Sequence, residues 1–264
     1  MSDAEKLLNK IKKEILAETA DVELIFVSGS YVVGKMGPHS DIDIKVLTAT
    51  KPRKKRLFQF VKCNKRNVLL TVHFDKLAHV IKEIRKPEEW VWAYEYYKRA
   101  LVLYDKDHNM KKILKELERH KISQDYFFKF IPEEASYLPE YVGKLKNAYL
   151  EGDELNLFYA ARVIAQICYN LLRPFNPVWK YTSERETYTA FLSLKNKPKN
   201  YVKDFKICYG ITTERRPLKK VYESALRLAR ETVEFLKLNR VEEKIKDKDF
   251  VKFFKSKMYS DFLK

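Results

Sequence analysis

An α+β fold is what this sequence predicts, with a mixed sheet in the N-terminal half and an all-helical bundle in the C-terminal half. Three observations carry that reading. Short, β-rich apolar runs crowd the stretch between Val22 and Phe74. From about Met110 onward every long segment has helical periodicity. The change of texture falls near residues 106–124, so two domains are expected, residues 1–109 and residues 110–264.

The elements follow in order. Leu7, Leu8, Ile11, Ile15 and Leu16 form one apolar face of a helix over Ala4–Leu16. Val22–Val27 is a strand that stops abruptly at Ser28-Gly29-Ser30, and a turn-like stretch with Gly34, Gly37 and Pro38 leads to a second strand, Ile42–Leu47. Thr48–Arg56 is polar and basic, a loop. Phe58–Val61 and Val68–Phe74 read as strands joined by the basic turn Lys62–Asn67. Lys76–Arg85 and Glu88–Lys98 read as helices, and Leu101–Tyr104 as an edge strand. The helical half comprises Met110–His120, Glu133–Leu150, Leu155–Leu172, Glu184–Leu194 and Leu218–Leu238. Val241–Leu263 closes it as one basic amphipathic helix.

Apolar residues make up 45% of the 264, enough for a packed core and against general disorder. No apolar run reaches the roughly 20 residues that span a bilayer, and Met1–Lys6 is charged, unlike a secretory signal. A soluble, cytoplasmic protein with no membrane partner is expected. Cys63, Cys168 and Cys208 are few, odd in number and far apart, which fits buried thiols better than a disulfide framework or a zinc site. The net charge of +17 favours a polyanionic partner. Abundant lysine and glutamate together also suit a surface of ion pairs adapted to heat, although that leaves the imbalance unexplained.

Chemistry concentrates between Ser28 and Asp43. A strand that breaks at Gly-Ser exposes backbone N–H groups and a hydroxyl, and a helix starting there would add partial positive charge, a setting for phosphates. Gly29 lets the backbone approach them closely. Asp41 and Asp43, two apart at the start of a strand, project from one face, while Ile42, Ile44 and Val46 point to a core. Two carboxylates so close repel unless a cation intervenes, and a hard divalent ion such as Mg²⁺ is the natural one.

The motif Phe26-Val27-Ser28-Gly29-Ser30, followed after a short spacer by Ser40-Asp41-Ile42-Asp43-Ile44, resembles the DNA polymerase beta-like nucleotidyltransferase superfamily. The resemblance covers about residues 20–105. It implies a mixed sheet backed by helices, two Mg²⁺ ions, in-line attack on an α-phosphate and release of pyrophosphate. Asp41 and Asp43 would hold the metals, and Ser28, Gly29, Ser30 and Ser40 would line the nucleotide site. The donor would be a nucleoside triphosphate, with ATP expected, and the acceptor a small molecule, a protein, or RNA or another polyanion. The overall plan is similar to the enzymes that adenylylate aminoglycosides, and to the minimal nucleotidyltransferases.

The family also uses a third carboxylate on a later strand, usually mid-strand. Here the middle of Val68–Phe74 offers Thr71, and Asp75 at its end is taken as the third catalytic and metal-binding acid. Its alternative is a helix N-cap. His73, on the same face, reads as a base, an acceptor contact or an ordinary sheet residue. The cluster Lys51–Arg56 reads as a polyanion guide or a solvated loop. Trp90, Trp92, Tyr94, Tyr96 and Tyr97 read as core more than as a stacking surface. Tyr141, Lys144, Lys146 and Tyr149 read as a solvated helix face more than as nucleotide contacts, and Cys168 with Tyr169 as packing. The rival reading, a relative that binds nucleotide or RNA without turnover, draws on the missing mid-strand acid.

Overall fold

A computed structural model describes residues 3–34, 40–63, 66–176, 184–211 and 217–263. Gly37, Pro38, His39, Asn64 and Lys65 lie outside the described residues. The chain forms two compact units that divide between Ile122 and Ser123, with Glu184–Thr187 counted with the first.

The first unit is built on β1 (Val22–Ser28), β2 (Ile42–Thr48), β3 (Arg56–Cys63), β4 (Arg66–Lys76) and β5 (Leu101–Asp105), in the order β3-β4-β2-β1-β5. Among the described residues β2 and β4 pair in parallel and the other three pairings are antiparallel, so the sheet is mixed. One face carries Ile25, Val27, Ile42, Ile44, Val46, Leu70 and Val72, all buried in one cluster with Leu8, Ile11 and Ile15 of α1 (Asp3–Glu18). Each such side chain contributes about 1.5–3 kcal/mol by leaving water.

The opposite face is covered differently. Two short helices follow β4, α2 (Leu77–Glu83) and α3 (Pro87–Lys98), and α4 (Asn109–Arg119) follows β5. The ring of Phe26 meets Tyr96 and Tyr97 of α3 at 5.8 and 5.5 Å. Trp90 is buried, and its indole N–H donates to the Leu117 carbonyl at 2.7 Å, tying α3 to α4. The Asp105 carboxylate accepts from the Asn109 and Met110 N–H groups at 2.6 and 3.1 Å, satisfying donors at the start of α4. Tyr97 is thus buried in the core and Tyr96 half-buried at its edge, whereas Trp92 is 52% exposed.

The second unit is helical. It contains α5 (Ile131–Glu151), α6 (Glu154–Leu172), the end of α7 (Glu184–Leu192), α8 (Tyr201–Tyr209) and α9 (Leu218–Leu238). Its core includes Leu138, Val142, Ile164, Cys168, Phe205 and Ala229. Gly152, at φ 68°, ends α5 in the left-handed conformation, and the Asp153 side chain caps α6 at the Asn156 N–H. α8 falls outside the segments whose periodicity predicts helix. That helix has nine residues and is pinned by the fully buried Asp204, which receives two bonds from Arg227 at 2.7 and 2.6 Å.

The tail is not one helix. It forms a 3₁₀ turn (Val241–Lys244), α10 (Lys248–Lys255) and α11 (Lys257–Phe262). Asp247 and Ser256 accept from the Phe250 and Tyr259 N–H groups, and each cap restarts the helix. Cys63, Cys168 and Cys208 are buried thiols. Burial pushes Cys168 up to about 12, so it packs and does not react. Among the described residues no helix is long and apolar enough to cross a membrane.

Candidate active site

The site begins where β1 runs out of apolar residues. Leu24 to Val27 are fully buried, and the strand ends at Ser28, which is 3% exposed. Its hydroxyl donates to the Tyr96 hydroxyl at 3.0 Å. Gly29 then adopts φ +72°, a conformation that costs a side-chain-bearing residue about 1–2 kcal/mol. A Cβ at Gly29 would lie 2.9 Å from Oδ2 of Asp43. The glycine therefore serves two ends: it turns the chain, and it leaves space for the carboxylate laid against it.

Ser30 to Gly34 continue as turns, with the Gly34 N–H donating to the Tyr31 carbonyl at 3.2 Å. No helix starts within the described residues 29–34. The N–H groups offered here are those of a turn, without the field of a helix N-terminus.

Register assembles the rest. Ser28 faces Asp43 across β1 and β2, and Asp43 faces Thr71 across β2 and β4. Asp41 lies one residue before β2, and Ser40, Asp41 and Asp43 are all half-buried. The Asp43 carboxyl is pushed up to about 6, first by burial and then by the charge of Asp41. The charge of Asp43 in turn helps raise the Tyr96 phenol, whose main cause is burial. Tyr96 is thus bonded to Ser28 and lies within the field of Asp43. It is 68 residues from Ser28, and no local pattern announces the partnership.

Asp75 is not brought to this cluster. It faces Leu47, four residues along the strand from the row that Asp43 shares with Thr71, about 13 Å away. Lys45 lies 3.5 Å from its carboxylate, His79 Nδ1 lies at 3.0 Å, and the Lys76 N–H donates to it at 2.8 Å. It is not the N-cap of α2 either, since Lys76 holds that position. The mid-strand position opposite Asp43 belongs to Thr71, a buried hydroxyl. His73 lies one row from Asp43, between Lys45 and Arg56. Burial, then Arg56, then Lys45 lower its pKa, which leaves a neutral imidazole at pH 7.

The residues fit a hard divalent ion. Asp41 and Asp43 are adjacent oxygen donors that repel each other, and no cation among the described residues is paired with either. No group of three or more His, Cys, Asp or Glu that could hold a metal occurs among the described residues. A two-carboxylate donor set matches Mg²⁺, which keeps waters and takes its remaining oxygens from substrate phosphates.

Residues 9–109 match the family described as polymerase beta nucleotidyltransferase, a range that contains Ser28, Gly29, Ser30, Ser40, Asp41, Asp43 and Asp75. Residues 134–238 match the nucleotidyltransferase substrate binding domain. No curated protein matches the chain. Among solved structures, a nucleotidyltransferase-like protein from Exiguobacterium sibiricum is similar over 96% of this chain and 87% of its own. Its identity is 11% and its TM-score 0.46, too slight a likeness to assign anything.

Proposed function

We propose that this chain, which belongs to the polymerase beta nucleotidyltransferases, transfers a nucleoside monophosphate from a triphosphate to an acceptor hydroxyl at the row of Ser28 and Asp43, beside the Gly29 turn. In the reaction the acceptor oxygen bonds to the α-phosphorus, the bond from that phosphorus to the bridging oxygen breaks, and pyrophosphate leaves with the electron pair. The hydroxyl proton passes to solvent water, so the products are the nucleotidylated acceptor, pyrophosphate and a released proton. The observation that carries this reading is the carboxylate of Asp43 resting on the turn at Gly29, which puts a candidate metal ligand beside candidate phosphate donors.

In this reading the backbone N–H groups of the turn and the Ser30 hydroxyl hold the triphosphate. The buried Ser28 hydroxyl, bonded to Tyr96, fixes the end of β1. Asp41 and Asp43 would hold Mg²⁺, and two ions are the family expectation. When bound, the ion neutralises charge on the triphosphate and on the oxygens of the displacement. Asp75 takes no metal in this reading, because Lys45 already pairs with it, and His79 Nδ1 lies within hydrogen-bond distance of it, at a distant row.

The test is incubation of the purified chain with the four ribonucleoside triphosphates, Mg²⁺ and a pool of hydroxyl acceptors (small molecules, proteins and RNA), scoring triphosphate binding and pyrophosphate release. Both should occur in the parent, with release abolished in Asp41→Asn and Asp43→Asn. Absence of triphosphate binding by the parent, or release that survives both substitutions, overturns the assignment.

A further inference from the structure

The exposed edge of the sheet carries a feature that the catalytic row leaves unused. β3 is an edge strand, and its residues Arg56, Phe58, Phe60 and Lys62 pair with His73, Thr71, Leu69 and Asn67 of β4. Because Thr71 in turn faces Asp43, these four side chains stand on the same face as the carboxylate. Phe58 occupies the very row of Ser28, Asp43 and Thr71.

Two phenyl rings on an edge strand belong in a core or under a cover. Here Phe58 is 58% exposed and Phe60 77%. Such an edge invites unwanted pairing, and natural proteins usually blunt it with charge. The charge present is of one sign. Arg56 and Lys62 flank the rings on the same face and are themselves exposed. Arg53, Lys54 and Lys55 precede them, and no Asp or Glu occurs between Lys51 and Arg66.

Adjacent exposed rings bracketed by cations are what single-stranded nucleic acid binds: bases stack on the rings and phosphates meet the cations. The two rings, alternate residues on one strand, are roughly 6.8 Å apart, about two base-stacking steps. Phe58 is two strand spacings from Asp43, about 10 Å, a distance that a few nucleotides bridge.

We infer that Phe58 and Phe60, with Arg56 and Lys62, form an acceptor platform that holds the 3′ end of a single-stranded nucleic acid and delivers its terminal hydroxyl toward Asp43. The inference names the acceptor of the reaction proposed above and rests on that reading for its direction along the sheet. The binding surface itself is testable without turnover.

The experiment measures fluorescence anisotropy of labelled twelve-nucleotide single-stranded RNA and DNA on the full chain, with EDTA present. The parent should bind at least one of them at low salt. Phe58→Ala/Phe60→Ala should weaken binding at least about tenfold, and Phe58→Trp/Phe60→Trp should preserve it. Arg56→Gln/Lys62→Gln should flatten the slope of log K against log salt by about 1.4, two phosphates' worth. Asp43→Asn should not weaken binding, so loss of catalysis and loss of the platform are distinguishable. Thermal melts check that the variants fold; these side chains are exposed, and their melts should stay near the parent's.

Failure of the parent to bind either strand, or parent-like binding by Phe58→Ala/Phe60→Ala, overturns the inference. So does binding to anionic lipid vesicles, or dimerisation of the chain, that disappears in the alanine pair while oligonucleotide binding persists.

Discussion

Asp43 and Asp75 stand on one face of one sheet, and their surroundings are opposite. Asp43 is half-buried against a glycine turn with another carboxylate as its neighbour, and it holds its proton up to about pH 6. Asp75 has Lys45 at 3.5 Å, His79 at 3.0 Å and a backbone N–H at 2.8 Å. The first is a negative site with no paired cation among the described residues. The second is balanced from within. An acid kept where its own protein disfavours its charge is a candidate for function, and an acid already paired with a cation of its own sheet is a weaker one. The difference teaches that face and residue type do not suffice: the row decides.

The largest expected effect separates the two ends directly. Asp43→Asn should lower turnover by about 1,000-fold or more, roughly 4 kcal/mol of transition-state stabilisation, with the fold intact by circular dichroism. Gly29→Ala comes next. Its Cβ would meet the Asp43 carboxylate at 2.9 Å in a left-handed backbone, so turnover should fall by about 100-fold and stability by about 1–2 kcal/mol in a denaturant titration. Parent-like turnover in Gly29→Ala would detach the turn from the carboxylate and break the comparison at its better end.

The pH dependence sharpens it. The folded-state value of Asp43, about 6, lies above its ordinary 3.8, so the folded protein binds the proton more tightly than the unfolded one. This contribution to stability is fully present below about pH 3.8 and is lost as pH rises through 6. In EDTA, Asp43→Asn should therefore be more stable than the parent above pH 6, by on the order of 1–3 kcal/mol, and the gap should close below pH 4. Thermal melts across that range give the answer, and a gap that widens toward low pH would contradict the electrostatic account. The smallest effect belongs to the other end. Asp75→Asn should change turnover less than about threefold and stability by at most about 1 kcal/mol, since its partners are partly exposed. A loss as deep as that of Asp43→Asn would restore Asp75 to the catalytic set.

Much of this was legible in the residues. The run Val22–Val27 ending in Ser28-Gly29-Ser30, and the alternation of Asp41 and Asp43 with Ile42 and Ile44, announced two strands and placed the candidate acids at the start of the second. Those signals are local, set by period two and by a glycine that the turn requires. The position of Asp75 was not legible, because its role depends on the pairing register of β2 with β4, and nothing in either strand alone states that Asp43 meets Thr71. Tyr96 was equally hidden, since the bond from Ser28 joins elements 68 residues apart. In the tail, continuous amphipathic periodicity concealed the breaks, although Asp247 and Ser256 are ordinary cap residues.

The most direct test of the central claim is titration of the metal itself. Mn²⁺, which is paramagnetic and can replace Mg²⁺ at oxygen sites, is followed by electron paramagnetic resonance in the presence of a non-hydrolysable triphosphate analogue, on the parent, Asp43→Asn and Asp75→Asn. The account predicts that Asp43→Asn weakens Mn²⁺ binding by at least about tenfold, while Asp75→Asn binds like the parent. Parent-like binding by Asp43→Asn, with the loss appearing instead in Asp75→Asn, would place the metal at the other end of the sheet face and contradict it.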